Sequence, residues 1–177
     1  LRTAQVAALA SDQLAALTTD QVAAIETADL RAIGTAALRA LGSDAIAALT
    51  TAQAAALTSA QVAALTTGQV QALETADIAA FGTAQLRSLT TAQVAALTTD
   101  QVSSLATADL HAMGTAAVRA FGTDAIVALS TEQVAALSTA QIVALATSQL
   151  VAVETADIAA LGSAQVAALT TAQVRAL

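Results

Sequence analysis

Four short segments set carboxylates at a fixed spacing: Glu26-Thr-Ala-Asp29, Glu74-Thr-Ala-Asp77, Glu154-Thr-Ala-Asp157 and the reduced form Ala106-Thr-Ala-Asp109. Two carboxylates three residues apart offer hard oxygen donors, the type calcium takes. A metal reading would therefore use Glu26, Asp29, Glu74, Asp77, Asp109, Glu154 and Asp157. Calcium wants about six to eight oxygens, and one box falls short of that. The competing reading makes each Asp a helix-start residue and each Glu a solvated charge. That reading is the expectation, with no metal and no cofactor. His111 is the sole histidine. A metal or general-base role for it needs partners that the sequence does not supply. Thr and Ser are abundant, but no histidine accompanies a defined nucleophile, so hydrolase chemistry has no support. The glycines occur singly, so no phosphate-cradling loop is present. The expectation is a protein that is not an enzyme.

The elements that carry these residues follow one rule. A large apolar residue stands at every eighth position from Leu1 to Leu177. Twenty-two octads of the form Leu-Thr-Thr-Ala-Gln-Val-Ala-Ala fill the chain, and Leu177 opens another. A short strict period means one small unit stacked many times. With positions lettered a to h from Leu1, a is Leu or a substitute such as Ile25, Phe81, Met113 or Val153. Position c is Thr or Ser throughout, f is Val, Leu or Ile except at Ala54, and h is Ala except at Ser88 and Ser104. Position g is mostly Ala but hosts His111 and five of the six arginines.

An unfailing hydroxyl at c reads as a helix N-cap. Residues d to the following a would then be helical, under two turns. Glycine at b, as at Gly34 and Gly42, would suit a left-handed stop just past the helix. Positions f and a lie three apart and share a face, which is the core. All 13 carboxylates sit at b, d or e, near the helix start, while the arginines at g lie near its end, as the helix dipole favours. Positions b and e vary together. Thr or Ser at b goes with Gln at e, Glu goes with Asp, and every Ala at e goes with Gly at b. Thr-x-x-Gln is also the capping-box spacing, so the cap could be b in some octads and c in others.

One continuous helix would drift by about 80° per octad, so its large residues would spiral round the rod. A β-solenoid would suit Val and Thr but not the Ala pairs at g and h. The sequence therefore predicts an all-α solenoid of very short helices, one per octapeptide, with two octads per layer. A superhelix with more octads per turn is the open alternative. Residues 1–177 form a single array, within which 17–96 and 97–176 align as an 80-residue duplication. The acidic octads are numbers 4, 10, 14 and 20, all even, which would put them along one side of a two-octad layer.

Net charge is −7, with 13 carboxylates against six arginines and only two aromatic residues. Nucleic acid binding is disfavoured on both counts. Thr and Gln interrupt every octad, so no membrane-spanning run exists. No cysteine is present, which excludes disulfides and thiolate metal sites. The array opens in mid-pattern without an initiator Met, the expectation being a piece of a longer array. Val127, Val143 and Val151 fall on outward g positions. Apolar strips of that kind mark self-association, side by side or end to end. Spaced Thr hydroxyls also look like ice-binding arrays, but hydroxyls consumed by capping cannot present a flat face.

The run Leu89-Thr-Thr-Ala-Gln-Val-Ala-Ala-Leu-Thr-Thr-Asp-Gln-Val102 resembles repeat tracts of very large secreted or surface proteins of bacteria, labelled adhesins, haem-utilisation exoproteins or calcium-binding proteins. The resemblance covers the whole chain. It implies an extracellular or cell-surface location in a bacterium and a spacer role. It carries over no catalytic or haem-ligating residue, and His111 and Met113 are the only side chains here that could approach haem. The functional expectation is a stalk or scaffold segment of an adhesin-like protein or fibre. The alternative is a protein- or glycan-binding module that uses the acidic side.

Overall fold

A computed structural model of the chain describes residues 3–177; Leu1 and Arg2 lie outside it. Among the described residues the secondary structure is all helical, in twenty-two pieces from α1 (Thr3–Ala7) to α22 (Thr171–Ala176). Each octad contributes one helix of four to six residues, as the period predicts. None of these helices is long and apolar enough to cross a membrane.

The helix begins one residue earlier than the hydroxyl rule alone implies. Position c is the first helical residue, and the cap is b. Thr18, Thr50, Thr58, Thr66, Thr90 and Thr98 each accept a hydrogen bond from the backbone N–H of the Gln three residues on. The Gln answers with its own side chain: Gln69 Oε1 accepts from Thr66 N at 2.8 Å, while Gln69 N donates to Thr66 Oγ1 at 3.1 Å. Two orphan N–H groups are thereby satisfied reciprocally. The covariation of b with e has this exchange as its physical content.

Glycine at b is a correction of a different sort. It does not adopt a left-handed stop. No positive φ occurs among the described residues, and Gly34 has φ −63° and ψ 147°. It sits at the cap in extended backbone, a conformation open to any residue. The link between helices is correspondingly short. In α9 (Thr67–Ala72) the next residue, Leu73, is already extended at φ −61° and ψ 137°, and Glu74 caps the helix that follows.

Positions f and a form the core, as their shared face requires. Leu14, Val22, Leu30, Leu38, Ile46, Val62 and Val70 are fully buried, with Leu41, Leu49, Leu57 and Leu65 scarcely less so. Each fully buried Leu or Val side chain contributes about 1.5–3 kcal/mol. A helix this short cannot persist on its own propensity, so the repeat lives on stacking.

The stacking rule departs from a two-octad layer. Within the first unit a helix packs on the one three places along: α4 (Thr27–Ala32) on α7 (Thr51–Ala56), α7 on α10 (Thr75–Ala79), α6 (Ser43–Ala47) on α9. The solenoid therefore winds with more than two octads per turn, the alternative that periodicity left open. The chain forms two compact units, Leu1–Leu89 and Thr90–Leu177. In the second unit the same rule holds, with α14 (Thr107–Ala112) on α17 (Thr131–Ala135) and α17 on α20 (Thr155–Ala159).

Candidate functional site

The chemistry that the fold concentrates is an amide ladder. The f N–H closes on the b carbonyl, and the next a N–H on the f carbonyl, as in Val70 N to Thr66 O at 3.0 Å and Leu73 N to Val70 O at 3.3 Å. The a carbonyl finds no helical acceptor role, because its helix has ended. It lies over buried apolar side chains, where an unpaired carbonyl costs about 1–3 kcal/mol. The e-position Gln of the following turn meets it. Gln53 Nε2 donates to Ile25 O at 2.7 Å and Val22 O at 2.8 Å. Gln61 reaches Ile33 O and Leu30 O at 2.9 and 2.8 Å, and Gln85 reaches Leu57 O and Ala54 O at 2.9 and 3.1 Å.

In the second unit Gln133, Gln141, Gln149 and Gln173 do the same toward Leu105, Met113, Phe121 and Leu145. The bonds span 28 and 31 residues in each case, between three and four octads. One side chain thus performs two jobs. Its Oε1 caps its own helix, and its Nε2 fastens that helix to the turn before. A carboxamide can do both, whereas ionised Glu would accept but not donate, and Lys or Arg would donate but not accept. These glutamines are among the most buried polar groups of the chain, Gln53 at 2% and Gln141 at 1% exposure. Sequence reasoning found the capping half of this arrangement from Thr-x-x-Gln and missed the fastening half.

The acidic octads break the ladder. Asp29, Asp77 and Asp157 occupy e and are buried, while Glu26, Glu74 and Glu154 at b are exposed. Asp109 is half-buried. Each Glu–Asp pair is therefore split, one carboxylate outward and one inward. Asp77 Oδ2 accepts from Glu74 N at 3.2 Å, repeating the capping half of the glutamine role. It also takes a hydrogen bond from the Thr51 side chain on α7. Asp157 Oδ1 accepts from Thr131 Oγ1 at 2.6 Å, the equivalent bond in the second unit. The c hydroxyl thus ties a helix to the turn after it. Ser59 Oγ does so by donating to Ala84 O at 3.3 Å.

Asp77 has the harshest setting. Burial pushes its carboxyl above the ordinary 3.8, helped by the nearby Glu74 charge and opposed by the hydrogen bonds from Thr51 and Glu74 N–H. Its Oδ1 is buried without a partner.

No group of three or more His, Asp or Glu side chains comes together among the described residues. The pairing α4–α7–α10 places the boxes of Glu26 and Glu74 in one column, two helices apart in the stack, and α14–α17–α20 does so for Asp109 and Glu154. His111 is exposed, and its Nδ1 lies 2.9 Å from Ala136 O on the following turn, so that nitrogen carries the proton. Met113 is buried in the core. One side chain thus lies outside and the other inside the core. Val127, Val143 and Val151 are exposed, at 46%, 41% and 58%.

The described chain also carries two open cavities. One of ≈ 310 Å³ is lined by Val6, Leu9, Leu17, Gln21, Ala24, Ile25, Glu26 and Asp29. The other, ≈ 240 Å³, is lined by Val151, Val153, Thr155, Ile158, Ala176 and Leu177. Both are openings onto the a/f core where stacking stops.

A family model described as the ALTTAQ repeat matches residues 1–25, 22–59, 70–107, 102–139 and 150–177. The matches leave few octads uncovered. No curated protein matches the chain.

Proposed function

The chain belongs to the ALTTAQ repeat family, and from that premise we propose that it is a non-enzymatic structural segment, a stalk or scaffold of an adhesin-like protein or fibre on or outside a bacterial cell. The observation that carries this reading is the fate of the polar side chains. Buried Gln53, Gln61, Gln69, Gln141 and Gln149 spend both ends of their amides on capping and fastening. The b hydroxyls cap, and the c hydroxyls of Ser59 and Thr131 tie to the next turn. A chain whose polar inventory is consumed in holding octads together is suited to hold other things apart. Net charge of −7 keeps such a segment soluble and disfavours nucleic acid as a partner. The resemblance of Leu89–Val102 to tracts of secreted proteins supports the location.

Removing residues 17–96 in phase from the parent protein, then restoring the lost length with an unrelated rigid repeat, tests this. A spacer's adhesion falls on removal and returns with the unrelated repeat. Failure to return would show that these residues bind something themselves.

A second reading, a protein- or glycan-binding module, has one observation in its favour. Glu26 and Glu74 are exposed and belong to one helix column. Changing Glu26, Glu74 and Glu154 to Ala should leave the fold intact by circular dichroism. A loss of partner binding in that variant would favour the module, and unchanged binding the scaffold.

A further inference from the structure

We propose that two copies of the chain pair side by side and parallel, a row of glutamates on each copy meeting a row of arginines on the other. This rests on the scaffold reading and adds to it how one length of such a scaffold recognises another.

The fold spends its amides and hydroxyls on itself and leaves these charges over. Glu26, Glu74, Arg39 and Arg87 are all exposed. Among the described residues none of the four forms an ion pair. Their places are regular. Glu26 and Glu74 stand at the caps of α4 and α10, two steps apart in the column α4–α7–α10. Arg39 directly follows α5 (Thr35–Leu38), and Arg87 lies in α11 (Thr83–Ser88). With α8 (Ser59–Ala64) between them, these helices form the column α5–α8–α11, so the arginines too are two steps apart. Both separations are six octads. The rows begin in consecutive octads and end in consecutive octads, so they run at matching levels.

No other exposed charges of the first unit repeat that spacing. Six octads beyond Asp12, Asp20 and Arg31 stand Ala60, Gly68 and Ala79. Asp20 and Asp44, in α3 (Thr19–Ala23) and α6, are a single step apart and cannot match the arginines. The helices between the charges carry none. On their outer side α7 has Ala52 and Ala55, and α8 has Ala60 and Ala63, all exposed. Side chains this small let two copies approach until the charges meet. The second unit keeps Arg119 and Glu154 but has Ala106 and Ala167 at the matching places of the octads beside them, so the matched rows belong to the first unit.

Symmetry then selects the direction. A twofold axis along the stack sets each copy's Glu26 and Glu74 against the other's Arg39 and Arg87, and every pair forms twice. An antiparallel twofold would set like rows together, which repels. A single pair on an open surface contributes little. Pairs in register act together, and the alanine surface closing between them removes water, which strengthens each. The rows thereby oppose the general repulsion between two chains of net charge −7.

Sedimentation equilibrium of the 177-residue chain tests this at about 0.1 M and about 1 M salt, where charges are screened over roughly 10 and 3 Å. At the lower salt the mass should approach twice the monomer as concentration rises, and at the higher it should return to the monomer. Two neutral variants read the contact. Arg39→Ala with Arg87→Ala, and Glu26→Thr with Glu74→Thr, install what Ala63 and Thr50 already are at the same octad positions. Each should therefore keep the wild-type circular dichroism. Each removes one partner of every pair and should weaken the dimer by roughly fivefold per pair, enough to leave a monomer. Arg39→Glu with Arg87→Glu should be monomeric too. Adding Glu26→Arg with Glu74→Arg to that variant exchanges the rows, returns the net charge to −7, and should restore the dimer. A monomer mass at every concentration and salt would overturn the proposal. So would a dimer that salt strengthens or that the neutral variants leave intact, which would place the contact on apolar side chains such as Val127, Val143 and Val151. Exchanged rows that keep the wild-type circular dichroism yet stay monomeric would overturn it as well. None of these results bears on whether the segment serves as a spacer, which the removal and replacement of residues 17–96 decides.

Discussion

Helices α9 and α10 are neighbours in the chain with near-identical backbones, yet they are held by different means. In α9, Gln69 caps through Oε1 at 2.8 Å and fastens to Leu41 O through Nε2 at 2.8 Å. In α10, Asp77 caps Glu74 N–H, but has no amide to offer the previous turn, and keeps a buried Oδ1 without a partner. The helix forms in both. Helix formation and helix stacking are thus separable properties of one side chain. The first needs only an acceptor at e, and a donor there adds a fastening bond to stacking that occurs without it, since α10 packs on α7 with Asp77 at e.

The strongest way to break this comparison is to give α9 the deficiency of α10. Gln69→Glu keeps an acceptor for Thr66 N–H and aims a charge at the carbonyls of Leu38 and Leu41. The expected loss at neutral pH is about 3 kcal/mol, the cost of a buried, unsatisfied and charged group. The sign with pH follows from desolvation. Burial raises the folded carboxyl above its unfolded value, so stability is recovered on acidification, where the protonated oxygen can donate, and is lost as pH rises through the folded value. Urea titrations of the variant at acid and neutral pH check both. A loss independent of pH would mean that the fastening bond matters less than packing.

The converse exchange gives α10 the residue of α9. Asp77→Gln should stabilise by about 1 kcal/mol at neutral pH, by removing an orphaned oxygen and adding a donor toward the preceding turn. Wild-type Asp77 is itself held above 3.8, so its unfavourable contribution is absent at low pH and appears as pH rises from near 3.8 through the raised value. The advantage of Asp77→Gln should therefore open across that window and be small below it. Thermal melts of the two proteins at matched pH values measure the gap. A constant gap would place its origin in side-chain volume instead of ionisation.

Much of this was legible beforehand, and the reason is locality. Helix-sized octads, the a/f core and the b–e exchange depend on residues within one or two turns, where spacing determines geometry. The glutamine's second role depends on a carbonyl 28 residues away, a distance that follows from winding and not from any single octad. A winding of more than two octads per turn stayed open for the same cause, since the octad repeats identically however many share a turn. The cap stayed divided between b and c because both carry hydroxyls. Thr66 and Thr67 look alike in sequence, and only the extended backbone of Thr66, φ −72° and ψ 161°, separates cap from first helical residue. The acidic boxes show the same limit. Spacing put Glu74 and Asp77 together, while burial turned one outward and one inward.

Removing the cap hydroxyl alone should have a smaller effect than breaking the amide. Thr66→Ala deletes the acceptor for Gln69 N–H and leaves Gln69 Oε1 and Nε2 in place, at a cost of about 1 kcal/mol. Thr67→Ala, one residue on, should cost less than that, since it touches no cap. Equal losses for the two would return the cap to position c.

The smallest effect separates two explanations for glycine at b. Gly42 is extended at φ −66° and ψ 159°, and an added Cβ would meet nothing within 4 Å. Its partner at e is Ala45, so the octad has neither hydroxyl nor amide, and Gly42 stands as a bare cap. Gly42→Ser supplies an acceptor for the Ala45 N–H and narrows the unfolded ensemble. Replacing a glycine cap by serine contributes a few tenths of a kcal/mol, and loss of unfolded-state freedom contributes about 0.4–1 kcal/mol. Denaturant midpoints should therefore rise slightly for Gly42→Ser, and by a similar margin for Gly122→Ser, whose surroundings match. A fall in both would mean that glycine answers a requirement other than local cap geometry, such as close approach by another molecule.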